Sequence, residues 1–200
     1  MPPDVDTPSH KPATRERLIA AAFSAVAKHG FDGASVKHIA AEAQVTPGLL
    51  HYHFPTRDAL LEAALRQALD DYLMRSRERR ERTPRDQQIT ALFNSARESL
   101  QSDCDMFRVR LCFAAKALSS SPMAAVLKEL NHAAVEETAM TFAAFRGASH
   151  PSPRDLSLAA AVKAAFDGYM LTWLADPEFP ISAAGEILER AVRGALSAAD

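Results

Sequence analysis

Between Leu60 and Leu73 the apolar residues Leu60, Leu61, Ala64, Leu65, Ala68, Leu69, Tyr72 and Leu73 recur as pairs four apart. That spacing lines one stripe of an α-helix and cannot line one face of a strand. It predicts one helix from about Thr56 to Arg80. The pattern returns at Ile89, Leu92, Phe93, Ala96 and Leu100, and again at Ile181, Ala184, Leu188, Ala191 and Ala195 beside Ile187, Val192 and Leu196. Segments 123–146 and 154–175 are helix-length and alanine-rich. With only 7 glycines in 200 residues and no sustained Val/Ile/Thr alternation, strand signals are close to absent. The chain is expected to be all-α, with about nine helices near 14–29, 35–42, 47–53, 57–80, 84–101, 104–118, 122–146, 153–175 and 182–198.

Helix starts carry a repeated mark. Thr46-Pro47, Thr83-Pro84, Ser121-Pro122 and Ser152-Pro153 each offer a capping hydroxyl followed by proline at the first helical position, where its missing N–H costs nothing. Asp86 and Asp155 stand three residues after two of these hydroxyls and extend them toward capping boxes. The first three helices are short and the later ones long. The expected layout is a disordered arm over 1–12, which holds Pro2, Pro3, Pro8 and Pro12, a small domain over 13–56, and a larger helical body over 57–200.

Charge separates these parts. Residues 11–57 hold six Lys/Arg against three Asp/Glu, whereas residues 58–200 hold seventeen against twenty. The small domain also carries His29, His38, His51 and His53, four of the 7 histidines. A net charge of −2 excludes a uniformly basic coat and leaves a local basic docking surface on an acidic body. Cys104 and Cys112 make no disulfide framework, and the acidic start MPPDVDTPSH has no apolar signal core. No uncharged apolar run of about 18 residues is present, the length that spans a bilayer. The expected setting is a reducing cytoplasm without membrane association.

The stretch SVKHIAAEAQVTPGLLHYHF reads as two short helices. Ser35 caps the first, whose Val36, Ile39, Ala40 and Ala43 face inward; Gln44 and Val45 turn, and Thr46 caps a second helix of barely two turns. This is the helix-turn-helix arrangement, whose second helix lies in the DNA major groove. Its N-terminus suits a phosphate, Gly48 allows close backbone approach, and His51, Tyr52 and His53 offer polar donors within one turn. Lys37 and Arg57 add cations on either side. A generic helical corner with Tyr52 and Phe54 as core aromatics is the competing reading for any one residue. The whole set arriving together favours DNA.

From about Thr14 to Leu65 the sequence RERLIAAAFSAVAKHGFDGASVKHIAAEAQVTPGLLHYHFPTRDALLEAAL resembles the DNA-binding domain of the TetR (tetracycline-repressor-type) transcriptional regulators. The resemblance rests on the apolar first helix, the His29-Gly30-Phe31 turn, Ser35, Ile39-Ala40, Val45, Gly48, Leu50, Tyr52-His53-Phe54 and Leu60. It implies a three-helix DNA-binding domain followed by a ligand-binding and dimerisation body. It further implies phosphate contacts from Ser35, Thr46, His51, Tyr52 and Arg57, and base-edge contacts from Lys37, Pro47, Gly48 and Leu49. Three positions depart from the family pattern: Gln44 stands for the usual glycine, His51 for tyrosine, and Arg57 for lysine. A left-handed turn at Gln44 carries about 1 kcal/mol of strain.

The last two helices carry more apolar surface than one core needs, and the resemblance implies a two-fold dimer through them. The interface is expected at Leu171, Leu174, Ile181, Ala184, Leu188, Ala191, Val192 and Ala195. Such a dimer presents two recognition helices roughly 34 Å apart and reads a palindromic double-stranded operator. Phe93, Phe107, Leu111, Met140, Phe145, Phe166 and Trp173, with Arg110 or His132 as polar anchor, are the candidate lining of an effector cavity, although bulky residues at helical spacing are more often plain core. A small hydrophobic or amphipathic effector is the default. No cofactor or metal is expected, since His132 and Glu136 have no further ligand cluster near them and Cys104 and Cys112 read as buried free thiols.

These readings converge on a ligand-responsive repressor that acts as a homodimer and is no enzyme. In it, the effector shifts the helix that begins at Thr56 and releases the operator. A helical scaffold without DNA binding, or a small helical enzyme, stays open as the alternative. The enzyme lacks any nucleophile, base and orienting group at workable spacing.

Overall fold

The computed structural model describes residues 13–102 and 104–198; the expected arm over 1–12 lies outside the described residues. Among them the chain is helical without strands, in the order α1 (Thr14–Gly33), α2 (Val36–Glu42), α3 (Pro47–His53), α4 (Arg57–Arg82), a 3-10 turn (Arg85–Gln87), α5 (Gln88–Ser102), α6 (Asp105–Ala117), α7 (Ser121–Arg146), α8 (Pro153–Ala175) and α9 (Ile181–Ser197). The all-α expectation and the helix positions hold within a few residues.

Two capping signals behave differently from their reading. The Thr83 hydroxyl donates back to the Arg79 carbonyl at 2.6 Å instead of capping a new helix. Pro84 stands at the cap of the 3-10 turn, and the Gln88 side-chain amide donates to the Arg80 and Thr83 carbonyls at 2.9 and 2.7 Å. The end of α4 takes these donors, so α5 starts four residues late. At the third mark Ser120, not Ser121, is the cap residue of α7, and its hydroxyl makes no capping bond. Thr46 and Ser152 cap as expected: Thr46 Oγ1 accepts from the Leu49 N–H, and Ser152 and Asp155 complete a reciprocal capping box.

The chain parts into two compact units between Ala64 and Leu65, inside α4. This is eight residues later than the expected boundary at 56/57, because the first two turns of α4 bury Leu60 and Leu61 completely. In the first unit α1 contributes Leu18, Ala22, Ala25 and Val26, α2 Ile39 and Ala40, and α3 Leu50 to a buried core closed by Phe31 and Phe54. Gly30, with φ 72° and ψ 176°, breaks the helical course of α1 near the position expected for its end. A side chain there would be strained in this left-handed conformation.

In the second unit α7 packs against α8, α6, α5 and α9. Ile89, Leu92, Phe93, Ala139, Phe142, Ala159, Val162, Val192 and Leu196 form its core, flanked by Val135, Phe145, Leu156, Leu158, Phe166 and Leu188. Arginines tie the ends of these helices. Arg146 meets both oxygens of the buried Asp155 at the start of α8, Arg77 and Arg80 meet the buried Glu137, and Arg66 forks onto Glu129 at 3.0 and 2.9 Å.

Candidate nucleic-acid interface

The corner between α2 and α3 is held by backbone and by α1. Gln44 has φ 55°, a left-handed residue where an L side chain is unfavourable. Around it the Val45 N–H donates to the Ala40 carbonyl at 2.9 Å and the Gln44 N–H to Ala41 at 3.1 Å. Arg17 on α1 donates to the carbonyls of both Ala43 and Gln44, so one guanidinium spans the turn. A second clamp joins α1 to α2, where Ser24 and Lys28 donate to Glu42 at 2.6 and 2.8 Å. The Lys28 bond first, and the Ser24 bond second, hold the Glu42 carboxyl below its ordinary pKa. Sequence reasoning missed Arg17, because nothing in RERL indicates that an arginine reaches carbonyls 26 and 27 residues away.

With that corner fixed, α3 shows two faces. Leu50 is fully buried and Phe54 nearly so, with Arg15 stacked 5.2 Å over the Phe54 ring. Pro47, Gly48, Leu49, His51 and Tyr52 are exposed. Tyr52 is 82% exposed, extreme for an aromatic that a folded chain is free to bury. Its ring meets His53, which is half-buried, edge to face at 5.2 Å. A Cβ added at Gly48 would meet no atom within 4 Å. Glycine there is therefore not demanded by the fold.

On α2, Ser35 Oγ accepts from the His38 N–H at 3.2 Å. Lys37 is exposed. His38 Nδ1 lies 2.9 Å from the Gly33 carbonyl; a carbonyl only accepts, so Nδ1 carries the proton.

Arg57 Nε donates to the Ala34 carbonyl at 2.7 Å, one terminal nitrogen donates to the Phe31 carbonyl, the other meets Asp58 at 2.9 Å, and the guanidinium lies 4.9 Å over the Phe31 ring. Three of its five N–H donors are used inside the protein and two remain. Arg57 therefore locks the start of α4 to the end of α1. Of the other expected contacts, Lys37, Thr46, Pro47, Gly48, Leu49, His51 and Tyr52 are exposed on and beside α2 and α3, whereas Ser35 and His53 are half-buried.

The residues expected to line an effector cavity do not form one group. Phe93 is buried in the core and stacks on Phe166 at 5.4 Å, and Phe145 packs against the same cluster. These three are core, because α5, α7, α8 and α9 close on them. His132 is exposed on α7. Phe107, Leu111, Met140 and Trp173 are half-buried, as is Arg110, which donates to Asp167 at 2.7 Å. An open cleft of about 480 Å³ is walled by Arg85, Phe145, Arg146, Arg154, Asp155 and residues 195–198, and takes in Phe145 alone of the expected lining. Cys104 and Cys112 are free but half-buried. Among the described residues no three His, Cys, Asp or Glu side chains are grouped to hold a metal.

Of the expected dimer residues, Val192 is 1% exposed and points into the core of its own unit; its place on the inner stripe of α9 removes it from any interface. Leu188 also packs partly inward. Leu171 and Ala191 are exposed, Leu174, Ile181, Ala184 and Ala195 partly so. Sequence reasoning left Ile187 out of the interface, yet it is 60% exposed and Leu171 57%.

Residues 18–64 match the model of the tetR family of bacterial regulatory proteins. Over 65 residues the chain is 37% identical to the HTH-type transcriptional regulator UidR of Escherichia coli K12, covering 32% of this chain and 33% of that protein. Over 117 residues it is 32% identical to the HTH-type transcriptional regulator BetI of Stenotrophomonas maltophilia, covering 57% and 59%. The match thus spans about a third of the first curated relative's length. A solved member of the TetR family from Streptomyces coelicolor superposes over 90% of this chain and 98% of its own, with TM-score 0.67 and 29% identity. These relatives are transcriptional regulators, not enzymes. Among the described residues no helix is long and apolar enough to cross a membrane.

Proposed function

We propose that the chain is a transcriptional regulator of the TetR family, and that it acts as a homodimeric repressor that binds a palindromic operator and leaves it when a small effector binds the body. The observation that carries this reading is the outer face of α3. Tyr52, Leu49 and His51 stand exposed on a helix whose other side is buried and whose entry turn is pinned by Arg17. A rigid helix with an exposed aromatic and an unobstructed glycine suits insertion into a major groove, with phosphate contacts setting the register and side chains reading base edges.

Dimerisation is assigned to α8 and α9 through Leu171, Leu174, Ile181, Ala184, Leu188, Ala191 and Ala195, with Ile187 added and Val192 removed. Two copies then read half-sites one DNA turn apart. The cytoplasm is the setting such a regulator requires. An effector coupling of about 1 to 3 kcal/mol is the usual scale for release. Helix α4 is continuous from Arg57 to Arg82, and a covalent path of this kind suits passage of the signal.

Tyr52→Ala tests the reading directly. The substitution removes an exposed ring, so folding and dimerisation should stay unchanged by circular dichroism and sedimentation while operator affinity drops about tenfold or more in a gel shift. Unchanged affinity would remove α3 from the interface.

A further inference from the structure

One group of side chains in the body is left with surplus positive charge. Arg110 on α6 donates to Asp167 Oδ1 at 2.7 Å, and Lys163 on α8 donates to Asp167 Oδ2 at 2.6 Å. Two cations therefore share one carboxylate. Their side chains are only 29% and 15% exposed, while that of Asp167 is 38% exposed. The cations are the less exposed members. At Glu137 the same count is arranged the other way, with the carboxylate 5% and Arg77 60% exposed, so water carries the surplus there.

An arginine has five donors and a lysine three, and the bonds to Asp167 use one of each. No other hydrogen bond or ion pair joins Arg110 or Lys163 to a described residue. No fully buried side-chain nitrogen or oxygen lacks a partner among the described residues, so the Arg110 nitrogens that make no bond are reachable from outside. Half-buried Phe107 lies one turn from Arg110 on α6, and half-buried Trp173 lies within two turns of Asp167 on α8. Partly desolvated cations with spare donors beside apolar side chains suit an anionic head on an apolar body.

We propose that Arg110 and Lys163 receive the carboxylate or phosphate head of a small amphipathic anion, with Asp167 holding the two cations in place until it binds. The inference rests on the effector-responsive reading above and supplies the chemical class of the effector. Burial first, and the neighbouring Arg110 guanidinium second, push the Lys163 pKa below its ordinary value, with Asp167 opposing. An incoming anion opposes both by favouring the charged ammonium.

The test uses the full chain and four ten-carbon probes below their micelle concentrations: decanoate, decyl phosphate, decanol and decyltrimethylammonium. Binding is read from the fluorescence of Trp173, the only tryptophan, and from thermal shift. Either anion should bind at least about tenfold more tightly than decanol, the scale of one charge-assisted hydrogen bond; which of the two binds better separates carboxylate from phosphate. Lys163→Met should erase that preference and keep decanol binding, whereas Asp167→Asn should tighten anion binding several-fold. A merely structural ion pair would show no gain in Asp167→Asn. Equal binding of the probes, preference for the cation, or no binding overturns the proposal. Release of DNA is measured separately: anion binding without release supports the site and counts against the regulatory reading, and release by decanol alone does the reverse.

Discussion

Gly48 separates the requirements of folding from those of DNA. Because a Cβ there meets nothing within 4 Å, Gly48→Ala should raise stability by up to about 1 kcal/mol through helix propensity. The same methyl group should lower operator affinity, read by denaturant titration and gel shift on one preparation; unchanged affinity would mean that the backbone at Gly48 does not approach DNA. Arg57 shows the opposite separation. Arg57→Ala removes donors from two carbonyls and a face from Phe31, so it should cost about 2 kcal/mol of stability. The sequence placed a cation beside a recognition helix but carried no signal of its direction. Ser35 and Thr46, by contrast, were legible because a capping hydroxyl bonds three residues along its own chain. Gln44 was legible only through the family resemblance, which places a glycine there, and its φ of 55° agrees.

At the scale of elements, the start of α8 shows how local and distant bonds combine. Asp155 closes the capping box with Ser152 and receives Arg146 from the end of α7. Burial alone would raise its pKa, but the Arg146 hydrogen bonds and those from Ser152 outweigh it and hold the carboxyl below its ordinary value of 3.8. A carboxyl depressed in the folded state stabilises the fold above the unfolded pKa, and loses that contribution as pH falls through the folded value. Asp155→Asn should therefore cost about 2 kcal/mol at neutral pH, with the difference from the parent shrinking below about pH 4. Urea titrations at several pH values check this; a difference that grows in acid would contradict it. The Ser152-Pro153 and Thr83-Pro84 marks look alike in sequence, each followed by Arg-Asp. They diverge because Thr83 lies against the end of α4, whose Arg79 carbonyl takes its hydroxyl. Helix existence was legible from apolar spacing. Exact starts were not, since neighbouring elements compete for the capping groups.

For the whole molecule, the apolar spacing in α9 marked two stripes, but only packing decides which one is spent inside the monomer. Val192 and Leu196 turn inward, and Leu171 on α8 and Ile187 on α9 remain exposed. Removing α9 would therefore break the core as well as any interface. Leu171→Glu with Ile187→Glu is the cleaner test: it should give a folded monomer by sedimentation, and a persistent dimer would place the interface elsewhere. The expected effector lining was the least legible reading, because aromatics at helical spacing fill a core or line a cavity with the same pattern. The central claim, that a pair of these chains reads DNA through α3, is tested most directly by selecting bound fragments from random double-stranded DNA with the full-length protein. Enrichment of a palindrome with half-sites about one helical turn apart, lost in Tyr52→Ala, is the predicted result. Absence of any enriched sequence, or an enrichment indifferent to Tyr52, would contradict it.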